Sequence, residues 1–306
     1  MSDKNVQSGA KPEKKDEVKP ADAAKDESTP PESKEEQKAE DAKGESKLEK
    51  KNETVNTDIT GKKVFFLYPT VQMQNIIMDE LTQLEFEIYA IKDSAHLTSI
   101  LKKYNDSVVY ANLDDNTFKN ELEKWIEMIH TAVPNVKIGV FSSSTDEEYK
   151  KKYSNKNYIA CGLINLKLDM NRAAQKISEI LDSFNVKGRR KYLRASTERE
   201  TTATINLPHD GNFIKGTIKD VSVVGISCTF DNDPGLKSKS LYKDIQIRLQ
   251  SMLLKAEAVV FGSRNDSGNT IYVLIFNTQR ISPDVRTKIR KYIQQNLQHK
   301  MDSELK

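Results

Sequence analysis

Between residues 62 and 185 the apolar positions alternate between two rhythms. Val64-Phe65-Phe66-Leu67-Tyr68 is a short unbroken apolar run, as a strand buried on both faces requires, and Ile76, Ile77, Leu81 and Leu84 then recur at helical spacing. Residues 86–91 give a second strand, and Leu97, Ile100, Leu101 and Tyr104 mark a second helix. Residues 107–111 and 137–141 are two more apolar runs, separated by a helix over 118–133 with Leu122, Trp125, Ile126 and Ile129 on one face and Pro134 as its stop. A fifth strand is expected over 158–166 and a closing helix over 173–184. Strands alternating with helices predict a parallel sheet covered on both faces.

The rhythm changes after residue 196. Six short β-branched segments, 201–207, 213–221, 225–230, 245–249, 254–262 and 270–276, are separated by turn signals such as Asp210-Gly211, Asp233-Pro234-Gly235 and Asn265-Asp266-Ser267-Gly268. They predict a small antiparallel six-stranded barrel. Ser282-Pro283-Asp284 supplies an N-cap, a proline for the first turn and an acid at the positive end of a final helix. Val285, Ile289, Ile293 and Leu297 form its apolar stripe, expected to cap one barrel mouth.

Composition adds a third region. Residues 1–58 are rich in Lys, Glu, Asp, Ala and Pro and contain no aromatic residue, so they are expected to be a disordered charged tail. The first 60 residues carry 12 lysines against 16 acids, a net charge of −4, which leaves 36 basic against 29 acidic residues, net +7, in the remainder. That mild positive charge suits an anionic ligand and falls short of a dedicated nucleic-acid face, so no nucleic-acid partner is expected. Cys161 and Cys228 lie in apolar runs without CxxC spacing and read as buried thiols. His96, His130, His209 and His299 are scattered, so no metal or cofactor site is expected. No apolar run reaches membrane-spanning length and no hydrophobic signal core is present, which predicts a cytoplasmic protein without membrane insertion.

The candidate chemistry is concentrated between residues 189 and 225. Arg190 and Arg194 place two guanidinium groups four residues apart just before the strand pattern, and Arg189 adds a third. Each planar fork fits a phosphate bidentately and equally fits the O6/N7 edge of guanine. Asp220 only accepts hydrogen bonds, which matches the N1–H and exocyclic amine of guanine, and the Ser222 hydroxyl can donate to a phosphate oxygen. Gly225 permits a close backbone approach. A plainer reading makes the arginines an exposed basic linker and the rest a turn in which Asp220 and Ser222 bond local backbone.

The order RxxxR then DxSxxG resembles the PilZ domain, the bacterial receptor module for cyclic di-GMP, over roughly residues 189–298. The resemblance implies a second-messenger receptor in motility or virulence regulation, with cyclic di-GMP held by Arg189, Arg190, Arg194, Asp220, Ser222 and Gly225. An Arg directly before the motif, here Arg189, accompanies binding of a stacked ligand dimer in that family. Residues 61–185 resemble the flavodoxin-like receiver fold in topology. Where receivers carry an acidic pair after the first strand this chain has Tyr68-Pro69, Asn112 stands near the phospho-acceptor position, and Asn165 stands near the position of the lysine that follows the fifth strand. Asp114 and Asp115 are the acids nearest the acceptor position. The implied domain is a degenerate receiver without phosphotransfer.

The organisation expected is thus a tail (1–58), an α/β receiver-like domain (61–185), a linker carrying RxxxR (186–196) and an all-β PilZ-type barrel with a terminal helix (197–306). Gly188 is expected to be a hinge, with the arginine segment mobile until ligand orders it and fixes the domain arrangement. An enzyme is disfavoured because the chain shows no Gly-rich phosphate loop, metal-ligand cluster or His-supported nucleophile. The alternative is a ligand-independent protein-interaction adaptor with a degenerate barrel, and RNA or single-stranded DNA binding lacks the exposed aromatic interleaving that stacking needs. The sequence does not name the downstream protein partner.

Overall fold

The computed structural model describes residues 60–116, 121–154, 157–167, 169–197 and 202–304, all within one compact unit of the chain. The charged segment 1–58, the first residues of the helix expected from Phe118 and the strand start expected at Thr201 lie outside the described residues.

The first half is a five-stranded parallel sheet in the order β2-β1-β3-β4-β5, built from β1 (Val64–Leu67), β2 (Ile88–Ile91), β3 (Val108–Asn112), β4 (Lys137–Ser142) and β5 (Gly162–Asn165). Helix α1 runs in three consecutive pieces, Val71–Met73, a π-helical Gln74–Met78 and Asp79–Gln83. It is followed by α2 (Ser94–Lys103), α3 (Leu122–Ala132), α4 (Glu147–Ser154) and α5 (Met170–Ser183). Alternation along β1 shows why both faces are covered: Phe65 and Leu67 enter a core with Leu97, Ile100, Trp125 and Ile129, whereas Val64 and Phe66 enter one with Ile77, Leu81, Ile177 and Leu181. This is the receiver-like arrangement read from the sequence.

The differences from expectation include a strand start and a helix. The fifth strand begins at Gly162 instead of residue 158, because a turn precedes it in which the Gly162 amide donates to the Ile159 carbonyl at 3.0 Å, with Gly162 at φ +67°. Helix α4 has no counterpart in the sequence reading, since EEYKKKYS is almost wholly polar; its Tyr153 enters a core.

The second half is a closed barrel. β7 (Thr204–His209), β8 (Asn212–Ser222), β9 (Gly225–Phe230), β10 (Leu241–Leu249), β11 (Met252–Asp266) and β12 (Asn269–Phe276) follow the order β8-β7-β10-β11-β12-β9, and β9 returns to β8. A short β6 (Ala195–Ser196) pairs antiparallel with the end of β8, matching Ala195 with Val221 and Ser196 with Asp220.

Helix α6 (Pro283–Ser303) starts as the sequence predicts, with the Ser282 side chain accepting the Val285 amide proton and proline in the first turn. Its course is wider than a barrel cap. Ile289, Tyr292 and Ile293 enter the barrel core, and Met301 enters a core of the parallel-sheet half, with Leu297 packed against both. Between these, Gln294 Nε2 donates to the Ile88 carbonyl at 2.8 Å, Gln298 Oε1 accepts the Ala90 amide proton at 2.9 Å and Gln298 Nε2 donates to the Ala90 carbonyl at 3.1 Å. β2 is the edge strand of its sheet, so two glutamines one helical turn apart supply hydrogen bonds that a further strand would otherwise make.

Candidate functional site

The arginine segment leaves α5 beside the start of the parallel-sheet half. The Lys62 amide donates to the Val186 carbonyl at 2.8 Å, and a Cβ on Gly61 would stand 2.7 Å from the Gly188 nitrogen, so the expected hinge glycine sits against a second glycine. Arg189, Arg190 and Lys191 are exposed, whereas Tyr192 and Leu193 are partly buried against the barrel core. Two of the three residues inside RxxxR therefore have a physical role: Tyr192 and Leu193 anchor the segment, with Arg190 and Arg194 at its two ends.

Arg194 precedes β6 and stays half-exposed, with Nη1 3.9 Å from Asp220 Oδ1. The other Asp220 oxygen accepts the Ser227 hydroxyl from the paired position on β9. A register shift between Ile218 and Asp220 interrupts the β8–β9 ladder, and the neighbouring Thr197 fills the gap: its amide donates to the Lys219 carbonyl at 2.9 Å and its hydroxyl to the Ile218 carbonyl. Asp220 is thus aimed by a strand irregularity that is itself braced by the residue three positions after Arg194.

Ser222 and Gly225 are the two ends of the β8–β9 turn. The Ser222 hydroxyl donates to the Gly225 carbonyl at 3.1 Å and accepts the Val224 amide proton at 3.4 Å, and the residue is buried. Its donor is spent on the turn in this state, as in the plainer reading of the motif. Gly225 lies beneath β12, where a Cβ would meet the Leu274 carbonyl oxygen at 2.4 Å. The structure brings Arg194, Asp220, Ser222 and Gly225 to the β6–β8–β9 surface; Arg190 lies at the other end of the anchored segment.

Two participants were not singled out in the sequence. Ser227 holds Asp220, and its only signal is a small polar residue between Ile226 and Cys228 in an otherwise apolar strand. Glu85, from the parallel-sheet half, accepts the Leu193 amide proton on Oε2 at 2.9 Å and faces Arg290 of α6 at 3.6 Å on Oε1. Burial pushes the Glu85 carboxyl above its usual range, opposed by the Leu193 amide and the Arg290 guanidinium. A cavity of about 60 Å³, bordered by Glu85, Lys187, Arg190, Tyr192 and Arg194, separates the segment from that half. It has room for a water or two. A larger concavity of about 910 Å³ lies between α1, β2 and α6 and borders none of the six predicted residues.

At the carboxyl ends of the parallel strands Asn112 Nδ2 donates to the Tyr68 carbonyl at 3.0 Å. The Asp114 oxygens accept from the Ser142 hydroxyl at 3.0 Å and the Ser143 amide at 2.5 Å, so its carboxylate is committed to bracing a loop. Among the described residues no group of three His, Cys, Asp or Glu side chains could hold a metal ion. Both cysteines are free and buried, and burial pushes each thiol up to about 12. Among the described residues no helix is long and apolar enough to cross a membrane.

No protein-family model matches the sequence, and comparison with curated proteins finds no match. Solved structures similar to this chain include PilZ proteins and response-regulator receivers. The PilZ domain of YcgR from Escherichia coli, with c-di-GMP, is 16% identical over 38% of this chain and 96% of that one, at a TM-score of 0.32. The Bacillus subtilis inhibitor of motility MotI/DgrA is 19% identical over 37% of this chain and 53% of its own, at 0.32. A response regulator from Thermotoga maritima is 14% identical over 40% of this chain and 98% of its own, at 0.33. Each match covers less than half of this chain, and the chemistry of the site rests on its own residues.

Proposed function

We propose that this chain is a bacterial cytoplasmic receptor for cyclic di-GMP, a binding protein and not an enzyme, which captures the dinucleotide between the arginine segment and the outer barrel face and signals to a protein partner by changing the arrangement of its two halves. The observation that carries the reading is the Arg194–Asp220 pair. A guanidinium stands 3.9 Å from a carboxylate without closing on it, and half of its surface remains open to solvent. Donor and acceptor are thus side by side, unsaturated and on one surface, as an anionic purine ligand requires. Arg190 and Arg194 grip phosphate and guanine, Asp220 reads the guanine edge, and Ser222 turns its hydroxyl from the Gly225 carbonyl to a phosphate oxygen. Gly225 keeps the turn flat against β12, and Arg189, exposed beside Arg190, meets a second, stacked ligand. Because the segment joins the halves, its capture is the event that reaches the parallel-sheet half.

Calorimetric titration with cyclic di-GMP, GTP and a single-stranded oligonucleotide tests this directly. Saturable binding of cyclic di-GMP, with the other two weaker by an order of magnitude or more, is expected. Equal binding of the oligonucleotide, or no heat with cyclic di-GMP, would contradict it.

A further inference from the structure

Glu85 occupies a position that local chemistry does not favour for a glutamate. It follows the last turn of α1 with φ +66°, the left-handed conformation in which helices ordinarily end on glycine, and its amide donates to the Thr82 carbonyl at 3.0 Å. What distinguishes it from glycine is its carboxylate, which reaches two other elements. Oε2 accepts the Leu193 amide proton at 2.9 Å, and Oε1, buried and without a hydrogen bond, faces the Arg290 guanidinium at 3.6 Å. Leu193 is the residue immediately before Arg194. Arg290 follows Ile289, which is buried in the barrel core, and precedes Gln294, which bonds the edge of β2.

We propose that Glu85 is a positioning residue for the arginine clamp: one carboxylate of the parallel-sheet half fixes the backbone between Arg190 and Arg194 and ties it to α6. The inference rests on the cyclic di-GMP reading above and names how the second half takes part in it. Tyr192 and Leu193 pack against the barrel core, and β6 pairs with β8 only from Ala195 onward, so the backbone between Arg190 and Arg194 has no ladder partner among the described residues to set its rotation. The Leu193 hydrogen bond supplies the missing constraint, so the two guanidinium groups leave the surface in a defined direction before ligand arrives. Binding then loses less conformational freedom, and any shift of the segment on capture pulls on Glu85 and through it on α6.

Glycine provides a clean test, because Glu85→Gly removes the carboxylate while satisfying the backbone. Glu85→Gln keeps an acceptor for the Leu193 amide. The parent and both variants are titrated with cyclic di-GMP, and amide exchange is followed at residues 190–196 without ligand. Glu85→Gly is expected to fold, to exchange faster at Leu193 with barrel-core amides unchanged, and to bind about tenfold more weakly. Glu85→Gln should recover most of the protection and affinity. Parental affinity in Glu85→Gly, or unchanged exchange at Leu193, would overturn the proposal while leaving the receptor reading intact. Absence of binding by the parent would overturn both.

Discussion

A Cβ on Gly225 would stand 2.4 Å from the Leu274 carbonyl oxygen and 3.2 Å from the Ile275 Cα, both main-chain atoms of a strand paired to it. Neither can give way without moving the ladder. Gly225→Ala is therefore expected to destabilise the barrel by about 1–3 kcal/mol, as overpacking of a tight interior does, and to disturb the Ser222 turn with it. Thermal unfolding checks the first effect, and a variant as stable as the parent would contradict the contact. At this scale the motif was legible as chemistry and only partly as geometry. The sequence shows that Asp220 and Ser222 carry the right donors and acceptors. That Ser227 holds one Asp220 oxygen, and that Ser222 bonds the Gly225 carbonyl, depends on the β8–β9 register, which no local signal specifies.

Among the elements α6 departs most from its sequence reading. The stripe Val285, Ile289, Ile293 and Leu297 identifies one buried face and hence the barrel, but the face toward the parallel sheet carries, beside Met301, Gln294 and Gln298, polar side chains that any exposed helix could carry. Their meaning comes from β2 being an edge, which strand order decides and residue pattern does not. Replacing both glutamines by alanine removes three hydrogen bonds to Ile88 and Ala90. At about 0.5–1.5 kcal/mol each, the pair should cost roughly 1.5–4.5 kcal/mol. The denaturant midpoint should fall, and β2 amides should exchange faster while barrel amides do not. A loss confined to the barrel would show that α6 is only its cap. Helix α4 was missed for the complementary reason: its eight residues have almost no apolar period, and it is located by the connection between β4 and β5.

On the scale of the molecule, the two sheets share α6 and the arginine segment, and Glu85 touches both connections. The alternating and helical rhythms identified the two halves because each has its own core. How the halves are joined was less legible, since the joining contacts include a carboxylate to a main-chain amide, a carboxylate–guanidinium pair and two glutamines, none of which leaves a periodic trace. The central claim is that Arg190 and Arg194 capture cyclic di-GMP against the Asp220 surface. The most direct measurement is the affinity of Arg190→Ala and Arg194→Ala for cyclic di-GMP by calorimetry, with thermal unfolding run on the same samples. Both side chains are exposed, so unfolding should match the parent, while each variant loses a charge-assisted contact of about 1.5–3 kcal/mol and binds on the order of tenfold to a hundredfold more weakly. Parental affinity in either folded variant would contradict the account.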